Sequence, residues 1–166
     1  HDGISVYNLL KGLPIDVKTY NFGSVDSIGV VMFCAGSQRF SVPHARFLLH
    51  PVAMQVMQAT TLDEPSIEEK LKLVKADQSN IAKVISATIN KPVEDVQKLI
   101  HSRTTLEPDK ALEKGLVTEI KSSLVPAGVH LISIYDNQMQ QGGIPGLQIP
   151  LQIPLRGIVQ PGPQGI

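Results

Sequence analysis

Hydrophobic positions in this chain switch repeatedly between a helical and a strand-like period, and the switches mark out the elements. Between 5 and 13 the apolar residues fall at 6, 9, 10 and 13, a helical spacing that Pro14 ends. Residues 15–22 then read as a strand. After a tight, glycine-bearing turn, an apolar stretch rich in small residues reads as a helix over 28–36. Residues 38–42 and 46–50 read as two short strands around Pro43, while 52–62, rich in Met and Gln, reads as a strand or as an adaptable arm. A long helix is predicted over 66–90, with Ser66 at its N-cap, Glu69 at its third helical position, and Ile67, Leu71, Val74, Ile81, Val84 and Ile85 near helical spacing. Asn90-Lys-Pro92 stops it. Short helices follow over 93–100 and 108–114, and Gly115 closes the second before a strand over 116–120. Helix and strand alternate, so the fold class is α/β.

The final segment, 136–166, breaks this pattern. It is dense in Pro and Gly, and Leu147-Gln-Ile-Pro150 recurs as Leu151-Gln-Ile-Pro154. Repeated proline forbids both a long helix and a central strand, so 1–135 is expected to form one α/β domain and 136–166 a flexible, disordered tail. At 166 residues and 42% hydrophobic the chain can bury a core, and the absence of Trp makes that core aliphatic. Its 15 basic and 15 acidic side chains cancel, which removes the electrostatic case for nucleic acid or an anionic membrane as partner. No stretch is apolar for long enough to span a bilayer, and the N-terminus has neither a basic nor a hydrophobic leader region. Cys34, the single cysteine, lies on the apolar 28–36 helix, where it is expected to be a small buried hydrophobe. A soluble protein of a reducing compartment, the cytoplasm, is expected. The chain starts with His and not Met, so further residues are expected upstream.

Candidate chemistry sits at Ser27. It follows the strand-turn segment and precedes the helix that opens at Ile28, so its hydroxyl lies beside free backbone N–H groups able to hold an oxyanion. His50, at the end of a short apolar run, is placed to take the serine proton. The competing reading is that Ser27 is simply an N-cap. His44, His101 and His130 are scattered and show no ligand spacing, so no metal site and no cofactor are expected; the charges of 68–83 read as the solvated face of the long helix.

Gly23-x-x-x-Ser27-Ile-Gly29, Ala35-Gly36, Arg39-Phe40, Pro43-His-Ala-Arg46 and Leu49-His50-Pro51, in this order, resemble the active-site half of the Clp protease proteolytic subunit. Leu106-Glu-Pro-Asp-Lys-Ala111-Leu-Glu-Lys-Gly115-Leu116 is similar to that family's closing helix and strand, and the likeness covers roughly 3–120. The resemblance implies a crotonase-like layered α/β fold with a long protruding helix. It implies a serine endopeptidase that cleaves unfolded polypeptides, assembled as homo-oligomeric, heptameric rings and fed by a ring-shaped ATPase. By the same resemblance Ser27 is the nucleophile, His50 the base and the N–H of Ile28 an oxyanion donor.

The chain departs from the family at three places. The family's first strands and the Gly-Gly pair holding its second oxyanion donor would fall ahead of His1. Its Gly-rich substrate strand is replaced by Val52-Ala-Met-Gln-Val-Met-Gln58. Counted back from Gly115 without a gap, its triad aspartate falls on Arg103, a cation that cannot stabilise an imidazolium. Asp26 is a weak substitute, since adjacent side chains on a turn point apart. Besides the peptidase, two readings stand: a catalytically degenerate subunit of a mixed ring, and a crotonase-fold acyl-CoA enzyme, which has no reason to keep Ser and His at this interval.

Overall fold

The structure, a computed structural model, describes residues 2–55 and 61–123, all within one compact unit. The predicted tail 136–166, the 135/136 boundary, His130 and part of the 52–62 stretch lie outside the described residues. In order the chain forms α1 (Asp2–Gly12), β1 (Lys18–Asn21), β2 (Ser24–Asp26), α2 (Ile28–Phe33), β3 (Gln38–Ser41), β4 (Arg46–Leu48), α3 (Glu64–Ile89), α4 (Val93–His101), β5 (Thr105–Leu106), α5 (Pro108–Glu113) and β6 (Glu119–Ile120). The strands make two three-stranded sheets. One, β1-β3-β6, is parallel throughout; in the other, β2-β4-β5, β4 runs parallel to β2 and antiparallel to β5.

The expected α/β alternation is present, with local corrections. The turn ahead of Ser27 contains a strand of its own, β2, because the chain changes sheet at Asn21. That side chain, only 1% exposed, accepts the Gly23 N–H at 2.9 Å and donates to the Arg46 carbonyl at 2.9 Å, satisfying both polar groups while the backbone bends. The long helix begins two residues before the predicted Ser66 cap. Asp63 is the N-cap, its carboxylate accepting the Ser66 N–H at 3.0 Å, and hydrogen bonding from Ser66, first by its side chain and then by its backbone N–H, holds the carboxyl below its usual range. The strand expected over 116–120 shortens to Glu119–Ile120, because the amides of Leu116 and Val117 both turn back to the Ala111 carbonyl. Residues 52–55 take no regular element, and β5 was not foreseen.

The core gathers Val30 and Phe33 from α2, Phe47 from β4, Ile85 and Ile89 from α3, and Val96 and Ile100 from α4. Phe33 and Phe47 pack as a tilted pair with centroids 5.0 Å apart. On α3 the buried residues Ala82, Ile85 and Ile89 all lie in the C-terminal part. Toward its start, Ile67, Leu71 and Leu73 are each about half exposed, so a helix of 26 residues, ~39 Å long, extends its first half beyond the core. Arg39 fastens β3 to the end of α5: its guanidinium donates to the carbonyls of Leu116 (2.8 Å), Gly36 (2.9 Å) and Gly115 (3.1 Å).

Two stability predictions arise. A Cβ at Gly36 would lie 2.7 Å from the Gln38 carbonyl oxygen and 3.0 Å from the Thr19 amide nitrogen, both backbone atoms that cannot yield cheaply. Gly36→Ala should therefore cost about 1–3 kcal/mol, read as a lower urea midpoint at unchanged m-value. Cys34 is buried, and burial pushes its thiol from 9.0 up to about 11, against weaker lowering by a Thr88 hydrogen bond and the Arg39 charge. Between these values the folded protein keeps a proton that the unfolded chain gives up. Stability should be full below about 9 and decline as pH rises toward about 11, and Cys34→Ala should remove that part of the decline in a denaturation-versus-pH series.

Candidate active site

The site is assembled at the ends of two neighbouring parallel strands. The register pairs Ser24 with Arg46, Val25 with Phe47 and Asp26 with Leu48, and the Ser27 N–H continues it by donating to the Leu48 carbonyl at 2.8 Å. Because β2 and β4 run the same way, Ser27, one residue past β2, and His50, two past β4, emerge at the same edge. The Leu49 N–H is fixed in turn by the Thr104 carbonyl at 2.9 Å.

Ser27 has φ 55° and ψ −122°, a left-handed conformation that an L-residue with a Cβ adopts at a cost of roughly 1–3 kcal/mol. It stands at the N-cap position of α2, and its carbonyl accepts the Val30 N–H at 3.0 Å. Its hydroxyl, however, makes no capping hydrogen bond. Ser27 thus holds the N-cap position through its backbone alone, and side-chain capping does not account for a serine there.

Ser27, His50 and Ile28 line one cavity of about 390 Å³. Gly3 and Ile4 of α1 form part of its wall; a Cβ on Gly3 would collide with the Ile28 side chain, so only glycine lets α1 and α2 approach this closely. Val52 and Ala53 close another side, and Asp77 and Ile81 of α3 a third. The half-buried His50 ring lies with Nδ1 2.8 Å from the Pro51 carbonyl oxygen. A carbonyl only accepts, so Nδ1 carries the hydrogen and Nε2 keeps the lone pair of a base. Ile28, as the first residue of α2, has an N–H without an acceptor inside the helix.

The other predicted residues lie elsewhere. Arg103, with φ 50°, is exposed on the turn after α4 and does not line the cavity, although the Thr104 carbonyl beside it bonds Leu49. The Asp26 carboxylate is occupied by Ser24 Oγ and by Arg46 Nη2, each at 2.9 Å, outside the cavity lining. Asp77 was missed by the sequence reading, which assigned it to the solvated face of the long helix. Its only signal was its position four residues before Ile81, on the same helical face. A wider groove of about 600 Å³ between α3 and α4 is walled by side chains such as Lys75, Glu94 and Lys98 and contains neither Ser27 nor His50. Among the described residues no group of three or more His, Cys, Asp and Glu is arranged to hold a metal ion, and no helix is long and apolar enough to cross a membrane.

The family model described as Clp protease matches residues 1–123. Among curated relatives, the ATP-dependent Clp protease proteolytic subunit 2 of Thermobifida fusca is 28% identical over 120 residues, which is 71% of this chain and 57% of the relative. Subunit 3 of Rhodococcus jostii is 27% identical over 130 residues (77% and 62%), and subunit 1 of Chlamydia felis 25% over 123 residues (73% and 59%). The chain thus spans 57 to 62% of the length of these relatives. The mixed α/β architecture agrees with this likeness.

The strain at Ser27 has a measurable consequence. Ser27→Gly removes the Cβ that makes φ 55° costly and should raise stability by about 1 kcal/mol in thermal or chemical denaturation, after allowing for glycine's added freedom in the unfolded chain. Ser27→Ala keeps the Cβ and should leave stability nearly unchanged. Equal stabilities for the glycine and alanine variants would show that the conformation carries no strain.

Proposed function

The chain belongs to the Clp protease family, and we propose that it is a serine-type endopeptidase subunit that cleaves peptide bonds of unfolded polypeptides with Ser27 and His50. The observation that carries this reading is Ser27 itself: a strained serine whose hydroxyl caps nothing, in one cavity with a histidine whose Nε2 is a base. In the proposed reaction Ser27 Oγ attacks the substrate carbonyl carbon while its proton passes to His50 Nε2. The oxyanion that forms meets the Ile28 N–H. Collapse breaks the C–N bond as the imidazolium returns the proton to the leaving amine, and water then hydrolyses the acyl-serine by the same steps.

Arg103 shapes the expected rate. Under the resemblance it falls at the family's third catalytic place, although its exposed side chain does not line the cavity, and the acceptor facing His50 Nδ1 is the neutral Pro51 carbonyl. A carbonyl orients the ring but stabilises its protonated form less than a carboxylate does, so basal turnover is expected to be low. The same feature supports the second reading, a subunit that contributes shape and contacts to a mixed ring without turning over substrate. In either case the exposed apolar start of α3, with Ile67, Leu71 and Leu73, suits assembly with further copies into a ring, heptameric by resemblance, served by an ATPase partner in the cytoplasm.

A fluorophosphonate probe should label the protein at Ser27. Labelling should disappear in Ser27→Ala and fall sharply in His50→Ala; labelling that survives Ser27→Ala would sink the nucleophile assignment. Arg103→Asp should raise peptide hydrolysis, the gain depending on both Ser27 and His50, since removing a triad carboxylate costs on the order of 10⁴ in turnover. A fast wild type, or no change on Arg103→Asp while Ser27→Ala abolishes activity, would show that Arg103 does not stand in the third place.

A further inference from the structure

Within the cavity that holds Ser27 and His50, one lining residue is unlike the rest of the wall. Ile4, Ile28, Val52, Ala53 and Ile81 are apolar, and Asp77 brings a carboxylate among them. We infer that Asp77 makes this cavity selective for a cationic side chain, so that peptides bound beside Ser27 present lysine or arginine to it. The inference deepens the peptidase reading and rests on it for the bond that is cleaved, but not for the selectivity of binding.

The physical basis is the match between the wall and a long basic side chain. Lys and Arg have an apolar stem and a charged head, so the stem can lie along isoleucine and valine while the head reaches the carboxylate. A volume of about 390 Å³ is on the scale of a small-ligand pocket and accommodates a single such side chain in extended form. Apolar walls lower the local dielectric and so strengthen the attraction relative to the same pair in open water. An apolar substrate side chain would instead strip water from the half-buried Asp77 and give nothing back, and an acidic one would be repelled. Asp77 sits one helical turn before Ile81 on α3, so the charge is carried by a regular helix and not by a loop. Asp77 also has an interaction within the chain. A carboxylate offers about four lone-pair sites, more than a single hydrogen-bonding partner fills.

Binding and cleavage separate the two readings. In the Ser27→Ala chain, fluorescein-labelled peptides differing only in one lysine, norleucine or glutamate should be compared by fluorescence anisotropy at low salt. The lysine peptide should bind about tenfold tighter than the norleucine peptide and tighter still than the glutamate peptide, a preference reduced by added salt. Asp77→Asn, nearly isosteric, should bring lysine and norleucine to within about twofold, whereas Asp77→Glu should keep the preference. The inference is overturned if norleucine binds as well as lysine, if Asp77→Asn leaves the ratio unchanged, or if none of the peptides binds. In the chain with Ser27 intact, fluorogenic peptides should show the same order in kcat/KM. Cation-selective binding without any Ser27-dependent hydrolysis would reject the peptidase reading and retain the role of Asp77; hydrolysis without charge preference would do the reverse.

Discussion

The parallel pairing of β2 with β4 is the interaction on which the site depends. Parallel strands have their C-terminal ends on the same side, so the residues just after them are brought together however far apart they lie in sequence. Here those residues are Ser27 and His50, and the bond from the Ser27 N–H to the Leu48 carbonyl continues the ladder into the site. The pairing is secured from the other side by Asn21, whose buried amide ties the Gly23 bend to the Arg46 carbonyl at the entry to both strands. Loss of this one ladder would separate the two residues on which the proposed chemistry depends.

The same bonds explain how the conformation of Ser27 persists. A positive φ in a residue with a Cβ survives only where its surroundings over-determine it. Its N–H is taken by Leu48 and its carbonyl by Val30, the first belonging to the sheet and the second to the helix. Both bonds are made at the observed φ of 55°, so sheet and helix together hold the residue there. The hydroxyl makes no bond to the start of α2, and Ser27 lines the cavity.

Much of this was legible in the residues, and the gaps have physical causes. The alternation of periods identified the helices and most strands, and the place of Ser27 between a strand-like run and an apolar helix pointed to the candidate site. What escaped depends on contacts between distant segments. β5 is only two residues long and exists through pairing with β4. The split of β1 from β2 turns on one asparagine side chain. The start of α3 was misjudged because Asp63 and Ser66 are both good caps, and Pro65, which suits a first turn, admits the earlier start. Asp77 reads as one more charge on a solvated helix until the loop after β4 and the start of α1 are folded against it.

The segment after α4 lies against the strand that leads to His50. Bonding of Leu49 to Thr104 and pairing of Leu48 with Thr105 bring residues 103–104 beside the backbone that leads to His50. Arg103, at φ 50°, sends an exposed side chain from that turn. A carboxylate in a catalytic triad does two jobs: it fixes the imidazole tautomer, and it offsets the charge that appears when the ring is protonated. Under the peptidase reading the jobs separate in this chain. The Pro51 carbonyl performs the first, because an acceptor at Nδ1 selects the tautomer whether or not it is charged. The second goes unfilled at that nitrogen. Under the peptidase reading the acceptor at Nδ1 orients the ring without offsetting its charge, so the penalty of lacking a carboxylate at that nitrogen falls on the protonated transition state and not on binding of the polypeptide.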